Sequence, residues 1–97
     1  MTKLATIERE LAEEIVEGLH ELPVTITGED EDTIQLAIKR REGWKLSAVV
    51  LSKGSLRRLA IDPLRIIKLD YLVRDILRSV SRRSRYTYPR HLRSKFA

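Results

Sequence analysis

The chain has 97 residues, of which 42% are apolar and 34% charged, with a formal net charge of +5 and no cysteine. A chain of this length forms one hydrophobic core, and its apolar fraction is too high for a wholly disordered protein. The absence of cysteine excludes disulfides, thiolate catalysis and zinc fingers. No stretch approaches the roughly 20 apolar residues of a membrane span, and the first residues lead into glutamates, so we expect a cytoplasmic protein.

The charge is divided between the two ends of the chain. Residues 1–32 carry 10 acidic and 2 basic side chains, whereas residues 33–97 carry 17 basic and 4 acidic ones. Arginine outnumbers lysine 13 to 6, and the planar guanidinium suits bidentate contacts with phosphate or carboxylate. A genome that favours arginine codons gives the same excess, so the composition leaves the partner open.

The first predicted element is an amphipathic helix. Apolar residues recur at three- and four-residue spacing over residues 4–22, with glutamates on the opposite side. Thr2 or Thr6 is the candidate cap, and Pro23 marks the end of the helix. Gly18 lies within the apolar stripe, where glycine costs about 1 kcal/mol relative to alanine, so we expect a close contact there with the sheet or another helix.

From Val24 the apolar period changes to two, which predicts half-buried strands. The predicted strands cover residues 24–26, 34–38 and 44–51. The acidic segment 28–32 is typical of an exposed hairpin loop, and residues 40–43 supply a second turn, so the strands form an antiparallel meander. Residues 55–61 fit neither period cleanly, and we favour a short fourth strand there.

A second long helix is predicted from Asp62-Pro63, an N-cap aspartate followed by proline at the first helical position, to about Arg83. Its main apolar stripe is Ile66, Leu69, Val73, Ile76, Leu77 and Val80. A second strip, formed by Leu64, Ile67 and Tyr71, lies on a different side of the helix. Because this strip requires cover, its three residues are candidates for contact with a second copy of the chain, as in a homodimer.

Together these elements predict an α+β fold, in which a helix, an antiparallel meander of three or four strands and a long C-terminal helix pack with both helices on one face of the sheet. The predicted domain covers residues 1–83. Residues 84–97 form a basic tail that has no acidic residue and no periodic apolar residues, so we expect this tail to be mobile or docked on a partner.

The sequence contains no convincing catalytic set. His20 and His91 are isolated from each other and from other candidate ligands, and Asp70 and Asp75 are five residues apart on a helix and so do not face each other. The glycines stand singly at turns, without a phosphate-binding or dinucleotide pattern. We therefore expect no enzymatic activity, no cofactor and no metal site.

The basic C-terminal end is the candidate binding surface, because arginine and lysine contact phosphates and interleaved aromatic rings stack on unpaired bases. The predicted nucleic-acid contacts are Arg74, Arg78, Arg82, Arg83, Arg85, Tyr86, Tyr88, Arg90, Arg93 and Lys95. This composition favours RNA or single-stranded DNA. The alternative is an inhibitor or assembly factor, viral or accessory, that binds an acidic protein surface; a membrane partner is disfavoured because the tail has no amphipathic apolar face.

The order of helix, three-strand meander and helix resembles that of double-stranded-RNA-binding domains and of the two small Alu-RNA-binding subunits of the signal recognition particle. Residues 45–53 look like the third strand of the larger subunit. The second helix opens with Asp62-Pro63-Leu64-Arg65 where the double-stranded-RNA-binding pattern has a lysine cluster, and the acidic loop 28–32 would repel phosphates. The likeness therefore concerns topology, and it assigns no family.

Overall fold

A computed structural model describes residues 6–39, 46–80 and 82–89. They form an α+β fold with three helices and a four-stranded mixed sheet. The elements in chain order are α1 (Ile7–Gly18), β1 (Val24–Glu29), β2 (Thr33–Lys39), β3 (Leu46–Ser52), α2 (Lys53–Ala60), α3 (Arg65–Val80) and β4 (Arg85–Tyr88). No helix in these ranges is long and apolar enough to span a bilayer.

The strands lie in the order β1-β2-β3-β4. The predicted antiparallel meander is present in β1 to β3, where Ile26 pairs with Leu36 and Leu36 pairs with Val49. The fourth strand differs, because β4 lies parallel to β3 with Val49 opposite Tyr86. A parallel neighbour requires a crossover connection, which α2 and α3 supply.

The prediction of a fourth strand at residues 55–61 is wrong, because this segment belongs mainly to α2. The Ser52 hydroxyl caps the helix by accepting a hydrogen bond of 3.3 Å from the Ser55 amide. Leu56 and Leu59 are buried while Arg57 is exposed, so the three-residue spacing of the leucines reflects a helical face.

The predicted boundary after residue 83 also requires correction, because β4 comes from the segment assigned to the basic tail. Tyr86 is 5% exposed and belongs to the hydrophobic core, and Tyr88 packs against that core. The folded part of the chain therefore extends through residue 88 at least. Residues 90–97 lie outside the described part.

One core joins the sheet to the helices. Alternate strand residues such as Ile34, Leu36 and Val49 are buried together with residues of all three helices, while the residues between them on the strands are more exposed. At Gly18 a Cβ would lie 2.9 Å from Cγ2 of Val73, so the expected close contact is present and its partner is α3. This approach sets the spacing between α1 and α3.

The long helix is shorter than predicted, beginning at Arg65 and ending at Val80. The Asp62 carboxylate accepts a hydrogen bond of 2.8 Å from the Leu64 amide, ahead of the first helical turn. Val73 and Val80 are buried in the predicted stripe, but Ile66, assigned to the same stripe, is 82% exposed. Ile66 faces solvent, whereas Leu69, on the next turn of α3, is partly buried against the core.

Candidate nucleic-acid interface

The turn from α3 into β4 carries adjacent arginines and is held by hydrogen bonds to the backbone on both sides. The Ser79 oxygen accepts from the amides of Arg82 at 3.0 Å and Arg83 at 2.8 Å. The Ser47 hydroxyl donates to the Arg83 oxygen at 2.9 Å, and the Ala48 amide donates to the Ser84 oxygen at 2.9 Å. The turn is therefore fixed against β3, and its backbone is positioned before any ligand binds.

The side chains on this turn project into solvent. Arg82, Arg83 and Arg85 are all exposed. Across residues 6–39, 46–80 and 82–89, none of these three guanidinium groups forms an ion pair. Three positive charges within four residues consequently lack an internal counter-charge in this part of the chain, which is the electrostatic condition for attracting an anion.

Two further arginines extend the positive surface along α3. Arg74 lies 3.0 Å from Asp70 with 69% of its side chain exposed, and Arg78 lies 3.8 Å from Asp75 with 71% exposed. Exposed pairs of this kind contribute little to stability and are readily exchanged for another anion. We call the set Arg74, Arg78, Arg82, Arg83 and Arg85 the basic edge.

The acidic residues near the start of the chain neutralise a different set of cations. Glu8 pairs with Arg57, and Glu14 lies 3.1 Å from Arg65. The hydrogen bond from Arg57 is the main reason that the pKa of Glu8 is lowered from its ordinary value. Self-neutralisation therefore occurs where α1 meets α2 and the start of α3, and these pairs involve none of Arg82, Arg83 and Arg85.

Glu29 on β1 extends this network of ion pairs. Its carboxylate lies 2.7 Å from the Lys53 ammonium group and 3.0 Å from the Arg9 guanidinium. Hydrogen bonds first from Lys53 and then from Arg9 lower its pKa from the ordinary value. The ion pairs of Glu29 thus connect β1 to α1 and to α2, again away from the basic edge.

The tyrosines of β4 face the core side of the sheet. The Tyr86 hydroxyl donates a hydrogen bond of 2.7 Å to a carboxylate oxygen of Asp75 on α3, and the ring is 5% exposed. Tyr88 is half-buried, and desolvation raises the pKa of its hydroxyl. The stacking role expected for Tyr86 does not fit this position, because its ring packs in the core.

The opposite side of the sheet is open and carries short side chains. A groove of about 560 Å³ runs across it, lined by residues that include Thr27, Gln35, Ala48, Val50 and Arg85. Arg85 and Thr87 are exposed on this side, where their alternation places them opposite to the buried Tyr86. The basic edge thus continues from α3, around the turn, onto the border of an open sheet face.

The remaining predicted residues divide into two groups. Arg90, Arg93 and Lys95 lie outside the described residues. Leu64, just before α3, and Ile67 and Tyr71, on α3, are 54%, 54% and 67% exposed, so the structure leaves the second apolar strip without cover.

No group of three or more histidine, cysteine, aspartate or glutamate side chains is arranged to hold a metal ion within the described ranges. Comparison with family models, curated proteins and solved structures finds no match to this chain. The surface feature with a clear ligand chemistry is the positive charge of Arg82, Arg83 and Arg85, which have no ion pair among the described residues.

Proposed function

We propose that this chain is a non-enzymatic nucleic-acid-binding module, for RNA or single-stranded DNA, whose contact surface is the basic edge. The observation that carries the proposal is the absence of an ion pair for Arg82, Arg83 and Arg85 among the described residues, on a turn fixed by backbone hydrogen bonds. A guanidinium can bind phosphate with two parallel hydrogen bonds. Because the backbone of this turn is already fixed, little backbone freedom is lost on binding.

Phosphate contacts give this binding its affinity and its dependence on salt. Each phosphate neutralised on a single strand contributes about −0.7 to the slope of log affinity against log salt concentration. Five contacts, one for each arginine of the basic edge, give a slope of about −3.5. Because Tyr86 is in the core, base stacking adds little at this position, and the binding shows weak sequence preference.

A protein partner for the same arginines is less well supported. Protein interfaces depend on large buried apolar or aromatic anchors beside the charged groups. Most of the large exposed apolar side chains in the described chain lie between Ile61 and Tyr71. That region is separated from Arg82 and Arg83 by most of the length of α3, so the turn itself offers charge with few anchors.

The test is a fluorescence titration of single-stranded RNA and of DNA of the same sequence, between about 50 and 200 mM salt. The variant carries Arg82→Gln, Arg83→Gln and Arg85→Gln. The matched control carries Arg9→Gln, Arg57→Gln and Arg65→Gln, which lowers the net charge equally but removes cations already paired with glutamates. Truncation after Val80 is unsuitable, because it removes β4 from the sheet.

We expect the basic-edge variant to bind at least roughly tenfold more weakly at low salt and its salt slope to shrink by about 2, as loss of three phosphate contacts requires. The control should stay within about threefold of the unmodified chain, since only long-range attraction is reduced. Equal losses in both variants, or no binding by the unmodified chain at the lowest salt, would overturn the proposal.

A further inference from the structure

The first turns of α3 and the loop before them expose an unusual amount of apolar surface. Ile61 is 80% exposed and Ile66 82%, and between and beyond them lie Leu64 at 54%, Ile67 at 54% and Tyr71 at 67%. We call these five residues the apolar end. Elsewhere in the described chain, the large apolar side chains exposed to this degree are Ile7 and Leu46, which stand apart in sequence.

The apolar end lies where α3 contributes least to the core. The first residue of α3 in the core is Leu72, and among the apolar residues before it in the helix only Leu69 is partly buried against the core. Leu64, Ile67 and Tyr71 follow three- and four-residue spacing and share one face, while Ile66 lies on another. A helix end that is apolar on two sides and uncovered on both is rare on a monomer.

The exposed area of the apolar end matches what one partner contributes to a stable interface. Taking roughly 200 Å² for each fully exposed large side chain, the five exposures amount to about 700 Å². A standard protein interface buries about 800 Å² on each partner. The largest apolar patch of an ordinary monomer is about 300–600 Å², and the five residues together exceed it by covering two sides of the helix end.

Most charges around the apolar end are paired within the chain and so do not oppose contact with an identical surface. Lys68 pairs with Asp62, and Arg74 lies 3.0 Å from Asp70, whereas Arg58, three residues before Ile61, forms no ion pair among the described residues. Such a border carries little net charge, so it repels an identical surface only weakly. The turn with Arg82 and Arg83 is about 20 Å further along, beyond the Debye length of about 8 Å, so its charge is screened from a copy docked here.

We propose that the apolar end is an interface between two copies of this chain, related by a two-fold axis so that the same residues cover each other. An isologous contact supplies identical apolar area from both sides, which matches the exposed area and meets little opposition from the border charges. The proposal is independent of nucleic-acid binding. If the chain both dimerises and binds nucleic acid, the dimer carries two basic edges, and a single strand long enough to reach both binds more tightly than it would to one.

The first experiment measures the molar mass of the unmodified chain by sedimentation equilibrium over a wide concentration range. The chain offers a matched pair of substitutions, because Ile67 in the apolar end is 54% exposed and Ile7 on α1 is 53% exposed. We expect a monomer–dimer equilibrium that Ile67→Gln weakens by roughly tenfold or more, since each dimer loses two apolar side chains from the contact. Ile7→Gln should leave the equilibrium unchanged.

The second experiment uses the absence of cysteine from the chain. In a variant carrying Tyr71→Cys or Ile67→Cys, any disulfide formed on mild oxidation must join two copies. We expect these variants to form disulfide-linked dimers rapidly. Ile7→Cys should form them only slowly, through random collisions. A chain that remains monomeric at millimolar concentration, or cross-linking at equal rates from all three positions, would overturn the proposal.

Discussion

The Ser47 hydroxyl donates a hydrogen bond of 2.9 Å to the backbone oxygen of Arg83, which lies 36 residues later in the chain. Ser47 is 1% exposed at a strand position whose neighbours on the same face, Val49 and Leu51, are core residues. Its hydroxyl also lies 3.4 Å from the Val80 oxygen at the end of α3. A buried polar group in β3 thus holds the backbone from which the arginines of the basic edge project.

The first prediction concerns Ser47→Ala. The substitution removes the hydroxyl that donates to the part-buried oxygen of Arg83, and we expect the free energy of unfolding to fall by about 1 kcal/mol. Urea denaturation measures this loss. Ser84→Ala, at an exposed position in the same turn, is the control and should change stability by less than about 0.5 kcal/mol. Equal stability of the two variants would contradict the anchoring role of Ser47.

The second prediction concerns Tyr86→Phe. Removal of the hydroxyl breaks the 2.7 Å hydrogen bond to Asp75 while keeping the buried ring, so we expect a loss of about 1–2 kcal/mol in unfolding free energy. Nucleic-acid affinity and its salt slope should be unchanged, because the ring and the arginines are retained. The exposed Tyr71→Phe is the stability control. A loss of affinity without a loss of stability would instead indicate that the Tyr86 hydroxyl contacts the ligand.

The third prediction concerns the contact between α1 and α3. Gly18 is the last residue of α1, so Gly18→Ala gains less than the roughly 1 kcal/mol of helix propensity at an interior position, while its methyl group would lie 2.9 Å from Cγ2 of the stiff, branched Val73. Overpacking of this kind costs about 1–3 kcal/mol, so we expect net destabilisation by about 1 kcal/mol in thermal unfolding. In a Val73→Ala background the same substitution should become neutral or stabilising. If the effects of the two substitutions simply add in a double-mutant cycle, the alanine at residue 18 does not clash with Val73.

The sequence allowed the sheet to be predicted wherever a period of two was long enough to read. Ile34, Leu36 and Ile38 occupy every second position through a whole strand, and each is buried. The close contact at Gly18 was also predictable, since a glycine within the apolar stripe of a helix requires a structural reason. Local pattern thus determined α1 and the antiparallel part of the sheet.

The short elements could not be predicted from local pattern, because tertiary pairing stabilises them. The segment that forms α2 has eight residues, too few for a helical period to stand out from a strand. The strand β4 has four residues, and the hint lay in Tyr86 and Tyr88, aromatic residues two apart, which were interpreted as stacking groups. For the basic edge, the sequence supplied the arginines of the exposed turn, whereas their hydrogen-bonded support from Ser47 depends on the fold.

The last prediction concerns acid stability in the loop between β1 and β2. The Asp30 carboxylate accepts hydrogen bonds of 2.8 Å from the amides of Asp32 and Thr33. The bond from Asp32, followed by the bond from Thr33, lowers the pKa of Asp30 from its ordinary value. A lowered folded-state pKa contributes stability that is complete above about pH 4 and is lost as the pH falls through the folded-state pKa. Asp30→Asn keeps an acceptor oxygen without titrating, so its melting temperature should fall less between pH 5 and pH 2 than that of the unmodified chain. Glu31→Gln removes one charge from the same loop, and an equally flattened profile in that variant would assign the effect to net charge.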